Sequence, residues 1–301
     1  MKVFSGYYLA RFAHADWLNL MVQATKQDSN VSTLGGSAVA GRGTTIGGRM
    51  LFNLPALDGY TQSATFGVDY KKFDQTVNLD ATSSAPATTI VTPITYYPIV
   101  ASYNGTWQDE ARKATTALEA GVTFHFRGVG SSDELFNDNR YNASGSFLIF
   151  HADVAHTHEI GLGFQTYGRV HGQLADQPLL SGEQQAGGGL DTVRGYREAE
   201  EVGDSGVFGT IEFRSPSLLQ HVAGVKADLR LLVFGDAGWL KVIDPLPEQK
   251  NHFDLASYGG GLTFQLADHF NASVYASVPL KKQGETLADE LRVLFQGTLN
   301  Y

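Results

Sequence analysis

Tyr60-Thr61-Gln62-Ser63-Ala64-Thr65-Phe66-Gly67-Val68-Asp69-Tyr70 sorts its residues by parity. The even positions read Tyr60, Gln62, Ala64, Phe66, Val68 and Tyr70; the odd ones read Thr61, Ser63, Thr65, Gly67 and Asp69. A period of two marks a strand with one greasy face and one polar face. The run is also long enough to cross a bilayer as a tilted strand. A second copy lies at 160–170, where Ile160, Leu162, Phe164 and Val170 oppose Gln165, Tyr167 and Arg169. Further copies occur at 18–24, 207–213, 229–239, 258–266, 270–278 and 293–301. In the 229–239 copy, Leu229, Leu231, Val233, Gly235, Ala237 and Trp239 share the greasy face, and Arg230, Leu232, Phe234, Asp236 and Gly238 share the other. Alternating segments of about ten residues are the signature of an outer-membrane barrel.

The connections support that architecture. Alternation predicts strands near 2–13, 16–26, 44–53, 60–73, 92–106, 113–127, 143–155, 159–172, 206–214, 226–240, 254–266, 269–280 and 290–301. Short links at 13–15, 54–59, 109–112, 156–158 and 267–268 alternate with long polar loops at 27–43, 74–91, 128–142, 173–205, 241–253 and 281–289; the link 215–225 is intermediate. Short turns at one rim and long loops at the other are the habit of bacterial barrels. The expected fold is therefore all-β, a transmembrane antiparallel barrel with about thirteen strands over residues 1–301. In an odd-numbered set the first and last strands run the same way, so an antiparallel ring does not close. An unpaired edge in lipid costs several kcal/mol per backbone group. On this ground about three further strands are expected before residue 1.

Composition agrees. Charged residues make up 18%, while Gly (34), Phe (18) and Tyr (13) are abundant, a balance that favours strands and turns. The net charge of −9 argues against nucleic acid as a partner. Cysteine is absent, which removes disulfides, thiol nucleophiles and thiolate zinc sites. No apolar stretch is long enough for a transmembrane helix, and the first eight residues do not form a signal peptide.

Two stretches carry functional information. Val193-Arg194-Gly195-Tyr196 follows Gly187-Gly188-Gly189 in the longest loop, and Phe234-Gly235-Asp236-Ala237-Gly238 lies in the next strand but one. A planar guanidinium on a glycine-loosened segment suits bidentate grip of a fixed carboxylate, and Asp236 on the polar face offers one. These stretches resemble the VRG[YF] loop motif and the FxDxG strand motif of the barrel superfamily that includes BamA and the two-partner-secretion transporters (TpsB, such as FhaC and ShlB). Gly67-Val68-Asp69-Tyr70-Lys71-Lys72-Phe73 and Gly209-Thr210-Ile211-Glu212-Phe213-Arg214-Ser215-Pro216 most resemble the haemolysin-activator branch.

The resemblance covers the whole chain and implies a sixteen-stranded barrel preceded by periplasmic POTRA domains. In that family the arginine loop is the sixth extracellular one, folded back into the barrel, with five strands after it. Eight strands before Arg194 and five after it then imply that strands one to three, the plug helix and the POTRA domains are absent from residues 1–301. The resemblance also implies an ion pair between Arg194 and Asp236 within the lumen.

The implied function is nucleotide-independent export of a large exoprotein (TpsA-type) across a bacterial outer membrane, with Arg169, Glu212, Arg214 and Arg230 lining a polar lumen. Membrane lipid and the barrel-assembly machinery are the other implied partners; Tyr301, ending an outward aromatic row, resembles the signal that machinery reads. The alternatives are a BamA-like assembly factor, which the number and type of POTRA domains would distinguish, and a passive porin, which has no use for the two motifs. No enzyme, cofactor or metal site is expected. His151, His156 and His158 lack metal-ligand spacing and read as an exposed turn; Asp133, Glu134, Asp138 and Asp204 read as solubilising loop acids, and no nucleophile elbow occurs. Val293-Leu294-Phe295-Gln296-Gly297 matches a viral protease site in wording, but it keeps the strand alternation.

Overall fold

The computed structural model describes residues 2–12, 14–32, 38–79, 88–222, 224–267 and 269–300. Its elements are β1 (Lys2–Arg11), β2 (Leu18–Ser32), β3 (Ala38–Asn53), β4 (Tyr60–Leu79), β5 (Thr88–Tyr96), β6 (Ile99–Asp109), β7 (Ala114–His125), α1 (Asp133–Asn139), β8 (Phe147–Gly161) and β9 (Phe164–Ala175). There follow β10 (Gln185–Gly187), β11 (Glu201–Gly203), β12 (Ser205–Arg214), β13 (Leu219–Val222), β14 (Val225–Lys241), β15 (His252–Leu266), β16 (Phe270–Pro279) and β17 (Arg292–Leu299). One antiparallel sheet runs β1-β2-β3-β4-β6-β7-β8-β9-β12-β14-β15-β16-β17, with β5 added to β4 and β13 to β14. Eight strands of this path precede Arg194 and five follow it. The hairpin β10-β11 stands apart as a second, two-stranded sheet.

The two faces invert the arrangement of a soluble protein. Along β14, Leu231, Val233 and Trp239 are exposed, while Leu232, Phe234, Asp236 and Leu240 are buried. On β12, Val207, Ile211 and Phe213 are exposed and Phe208 and Glu212 buried. Carboxylates inside and valines outside are stable only where the outer solvent is hydrocarbon and every spanning backbone group is paired. Aromatic pairs mark both rims. Near the short turns Trp17 stacks on Phe52, Phe164 on Phe213, and the Tyr60 hydroxyl meets that of Tyr103; towards the long loops Tyr70 meets Tyr97 and Phe124 meets Phe126. Such girdles place amphipathic rings at the headgroup level.

Four expectations change. The strand expected at 92–106 is divided at Tyr97-Pro98, because proline has no N–H to give the ladder. Both parts still pair with β4, and the Asp69 N–H bridges the break by donating to the Pro98 carbonyl at 3.0 Å. The link expected at 156–158 is strand: His158 pairs with Thr166, and the chain turns at Leu162 between two glycines. Much of the stretches expected as loops at 27–43 and 74–91 extends β2, β3, β4 and β5. Asp204 is not a solvated acid but wholly enclosed. Tyr301 lies outside the described residues.

The long-loop end is packed rather than open. Helix α1, capped by the Ser132 hydroxyl, buries Phe136 in a cluster with Ile94, Tyr96, Phe147, Ile149, Leu179 and Leu180. Leu179 and Leu180 belong to the segment 176–204, which joins β9 to β12 and turns inward.

Candidate functional site: a loop anchored in the lumen

The segment 176–204 leaves β9, forms the hairpin β10-β11, and carries Val193, Arg194 and Tyr196 at its tip. All three are buried, with Val193 and Tyr196 at 0% exposure. Apolar residues of the tip pack on the few apolar residues that the wall turns inward: Val193 and Tyr196 cluster with Phe208, Leu240 and Leu255. The same stretch of wall also carries two buried carboxylates, Asp236 and Glu212.

Arg194 makes the central polar contact. Its Nε donates to Asp236 Oδ2 at 2.8 Å, its Nη2 to Oδ1 at 2.7 Å, and its backbone N–H to Oδ2 at 3.0 Å. The remaining nitrogen, Nη1, donates to Glu212 Oε1 at 2.6 Å. Glu212 in turn accepts from Arg214 through Oε2, at 2.8 Å from Nε and 2.6 Å from Nη2. Two cations and two carboxylates balance, so their burial is compensated. Burial works against the Arg194 charge, but hydrogen bonding and attraction to Asp236 and Glu212 outweigh it and raise its pKa.

The FxDxG wording has a reason at each position. Phe234 lies flat under the guanidinium, 3.6 Å from ring centroid to Cζ, and Tyr275 adds a second ring at 4.9 Å. Asp236 is the bidentate acceptor. At Gly238 a Cβ would overlap the Phe208 ring and come within 3.0 Å of Val193, so only glycine lets the loop tip settle. Gly195, at φ +96°, holds a backbone conformation that L side chains rarely adopt, and a Cβ there would meet Ser277 Cβ at 3.1 Å. The Tyr196 hydroxyl reaches the carbonyls of Lys281 at 2.8 Å and Ala256 at 3.1 Å. Burial, opposed by these backbone contacts, raises its pKa.

The other lumenal residues are paired as well. Arg169 grips Asp153 with Nε and Nη2, the shortest contact being 2.6 Å. Arg230 binds Asp228 at 2.9 Å and also donates to the carbonyls of Gly163 and Ser215, stapling the short-turn rim. Sequence reading missed several partners. Arg49 of β3 meets Asp69 of β4 at 2.7 Å, Lys71 and Tyr96 both bond Glu183 of the loop, and Glu200 accepts from Thr286. Asp69 was signalled by its place in the polar row; Glu183 and Glu200 carried no local signal. Among the histidines, His156 bonds Thr116 and lies edge-on to His158, and no grouping suited to a metal occurs among the described residues.

The family profile of the haemolysin secretion/activation protein ShlB/FhaC/HecB matches residues 103–264, more than half of the chain and both motifs. The chain belongs to that family. No curated protein matches in sequence. Among solved structures this ShlB/FhaC/HecB member is similar to CdiB from Escherichia coli, with a TM-score of 0.70 and 16% identity over 94% of this chain and 50% of that one. CdiB from Acinetobacter baumannii gives 0.66 and 14%, over 98% and 49%. BamA from Haemophilus ducreyi lacking POTRA domains 1-3 gives 0.62 and 12%, over 98% and 62%. These likenesses establish the barrel fold. The chain spans about half the length of the CdiB structures it matches.

Proposed function

We propose that residues 1–301 form the membrane barrel of a two-partner-secretion translocator, which passes an extended TpsA-type exoprotein outward through the lumen without nucleotide. The observation that carries this reading is the loop tip seated on the wall by Arg194, Asp236 and Glu212, in a chain of the haemolysin secretion/activation family. A pore for an extended polypeptide needs polar walls that offer hydrogen bonds without a greasy trap, and paired charges that do not seize a passing side chain. The wall meets both needs through Arg169 with Asp153, Arg214 with Glu212 and Arg230 with Asp228. The loop tip occupies the same space, so export requires it to shift. The outward apolar rows support a lipid environment for the barrel, read here as the outer membrane, with lipid and, during biogenesis, the barrel-assembly machinery as its further partners.

The test is export of an exoprotein encoded beside the full-length protein. Arg194→Ala, in a barrel that still assembles, is expected to change export by roughly tenfold or more, since a shift of about 1.4 kcal/mol in the loop's docking equilibrium is a factor of ten. Unchanged export with unchanged loop position would remove the role assigned to Arg194. A BamA-like assembly activity remains the second reading, favoured by the structural likeness to BamA. Depletion that lowers the levels of unrelated outer-membrane barrels while leaving the exoprotein's export intact would select it.

A further inference from the structure

The carboxylate of Asp204 sits at the root of the loop, where β11 hands over to β12, and its side chain has 0% exposure. Its Oδ1 accepts from the Leu179 N–H and from Gln184 Nε2, both at 2.9 Å. Its Oδ2 accepts from the Ile243 N–H at 2.7 Å and from Arg140 Nη2 at 3.5 Å. The main chain is held too: the Asp204 N–H donates to the Lys241 carbonyl at 2.8 Å, and the Asp204 carbonyl accepts from Gln173 Nε2 at 3.0 Å. Arg140 closes the group by donating to the Ile243 carbonyl at 2.9 Å. One enclosed carboxylate therefore joins the descending limb of the lumenal loop, the loop that carries α1, and the loop between β14 and β15.

None of these donors lies in the tip, 188–200. The tip has its own contacts: Arg194 donates to Asp236 and Glu212 on the wall, and Glu200 accepts from the Thr286 hydroxyl. Root and tip are thus separate sets of bonds, and the tip set can break while the root set persists. A buried carboxylate satisfied by several N–H donors is costly to expose; the root draws its donors from three loops, whereas every bond the tip makes to Asp236 comes from Arg194 alone, so the shift of one residue releases the tip and not the root.

We propose that Asp204 is the positioning residue of the lumenal loop: a fixed root about which the tip swings when Arg194 leaves Asp236, so that 176–187 and the outer loops remain in place. The proposal rests on the reading that the tip moves during export. Asp204 touches no cargo; it acts through the loop.

The test uses the full-length protein in lipid, with cysteines placed at Asp191 in the loop and Gln265 on the wall and spin-labelled; the barrel contributes no cysteine of its own. The distance between the labels is measured alongside export and thermal unfolding. Asp204→Ala is expected to broaden the distance distribution at temperatures well below the onset of unfolding and to reduce export by about tenfold. Asp204→Asn is expected to fall between, because Oδ1 keeps its acceptor role while an amide opposes the Ile243 N–H. If Asp204→Ala does not assemble, Arg140→Ala removes one donor and is expected to broaden the distribution less. An unchanged distribution in whichever of these variants assembles overturns the proposal, as does a broadening seen only at the onset of unfolding. Failure of the export reading is separately visible, as absence of export by the unaltered protein while the label distances still respond.

Discussion

Asp236 depends on Arg194 more than Glu212 does. When Arg194 is removed, Glu212 keeps Arg214 at 2.6 Å, whereas the Asp236 side chain, at 0% exposure, loses the whole guanidinium. Breaking such a buried pair from one side costs about 3–5 kcal/mol, mostly the cost of an uncompensated charge. Arg194→Met is therefore expected to weaken docking of the loop by about that amount, and Asp236→Asn by less. The double variant Arg194→Met/Asp236→Asn is expected to cost less than the two together, by about 0.5–3 kcal/mol. Hydrogen exchange across 188–200 measures all three, and strict additivity would show that the pair is not coupled. At this scale the two motifs made Arg194 and Asp236 legible in the sequence. Tyr275 and the sharing of Glu212 between two arginines were not, since the first lies on β16 and the second depends on where the tip descends.

A loop that reverses into a barrel needs backbone conformations that most residues refuse. Gly195 supplies one beside Ser277 and Pro279. Gly195→Ala adds a strained φ and a close contact, for a cost of about 1–3 kcal/mol. Its expected outcome is a displaced Tyr196, read as faster exchange at the tip with no change in the strands; an unchanged exchange rate at 188–200 would show that the site tolerates a Cβ. The strands themselves were readable from alternation, but their ends were less so. β2 to β5 run past the expected boundaries, because polar residues such as Gln75 and Thr92 pair in the ladder as readily as apolar ones. The proline break at 98 was hidden inside an alternating run, and the turn at Leu162 lay within another.

Over the whole molecule the decisive property is which solvent each face meets. Val233 is 59% exposed on the outer face of β14. Val233→Arg is expected to destabilise the barrel by about 2–4 kcal/mol, as a charge near the bilayer midplane does. Refolding into lipid vesicles at varied urea measures it. Equal stability of the variant and the unaltered barrel would contradict a lipid-facing row. The same substitution of Thr263, which lies on the lumenal face and lines a cavity with Arg214, Asp228 and Arg230, is expected to cost far less.

Residue parity decided the class of this protein, because the face a strand residue occupies follows from counting along the chain and needs no knowledge of neighbours. The rhythm of short and long connections placed the rims on the same local basis, and the two motifs named an anchor. What the chain could not state locally was company: that Glu212 serves Arg194 and Arg214 together, that Phe208 needs the space left at Gly238, and that Asp204 gathers donors from three loops. Those contacts join residues up to 64 positions apart, as between Arg140 and Asp204. They arise only once the register between strands and the inward path of the loop have brought those residues to one place, and that is a property of the assembled sheet.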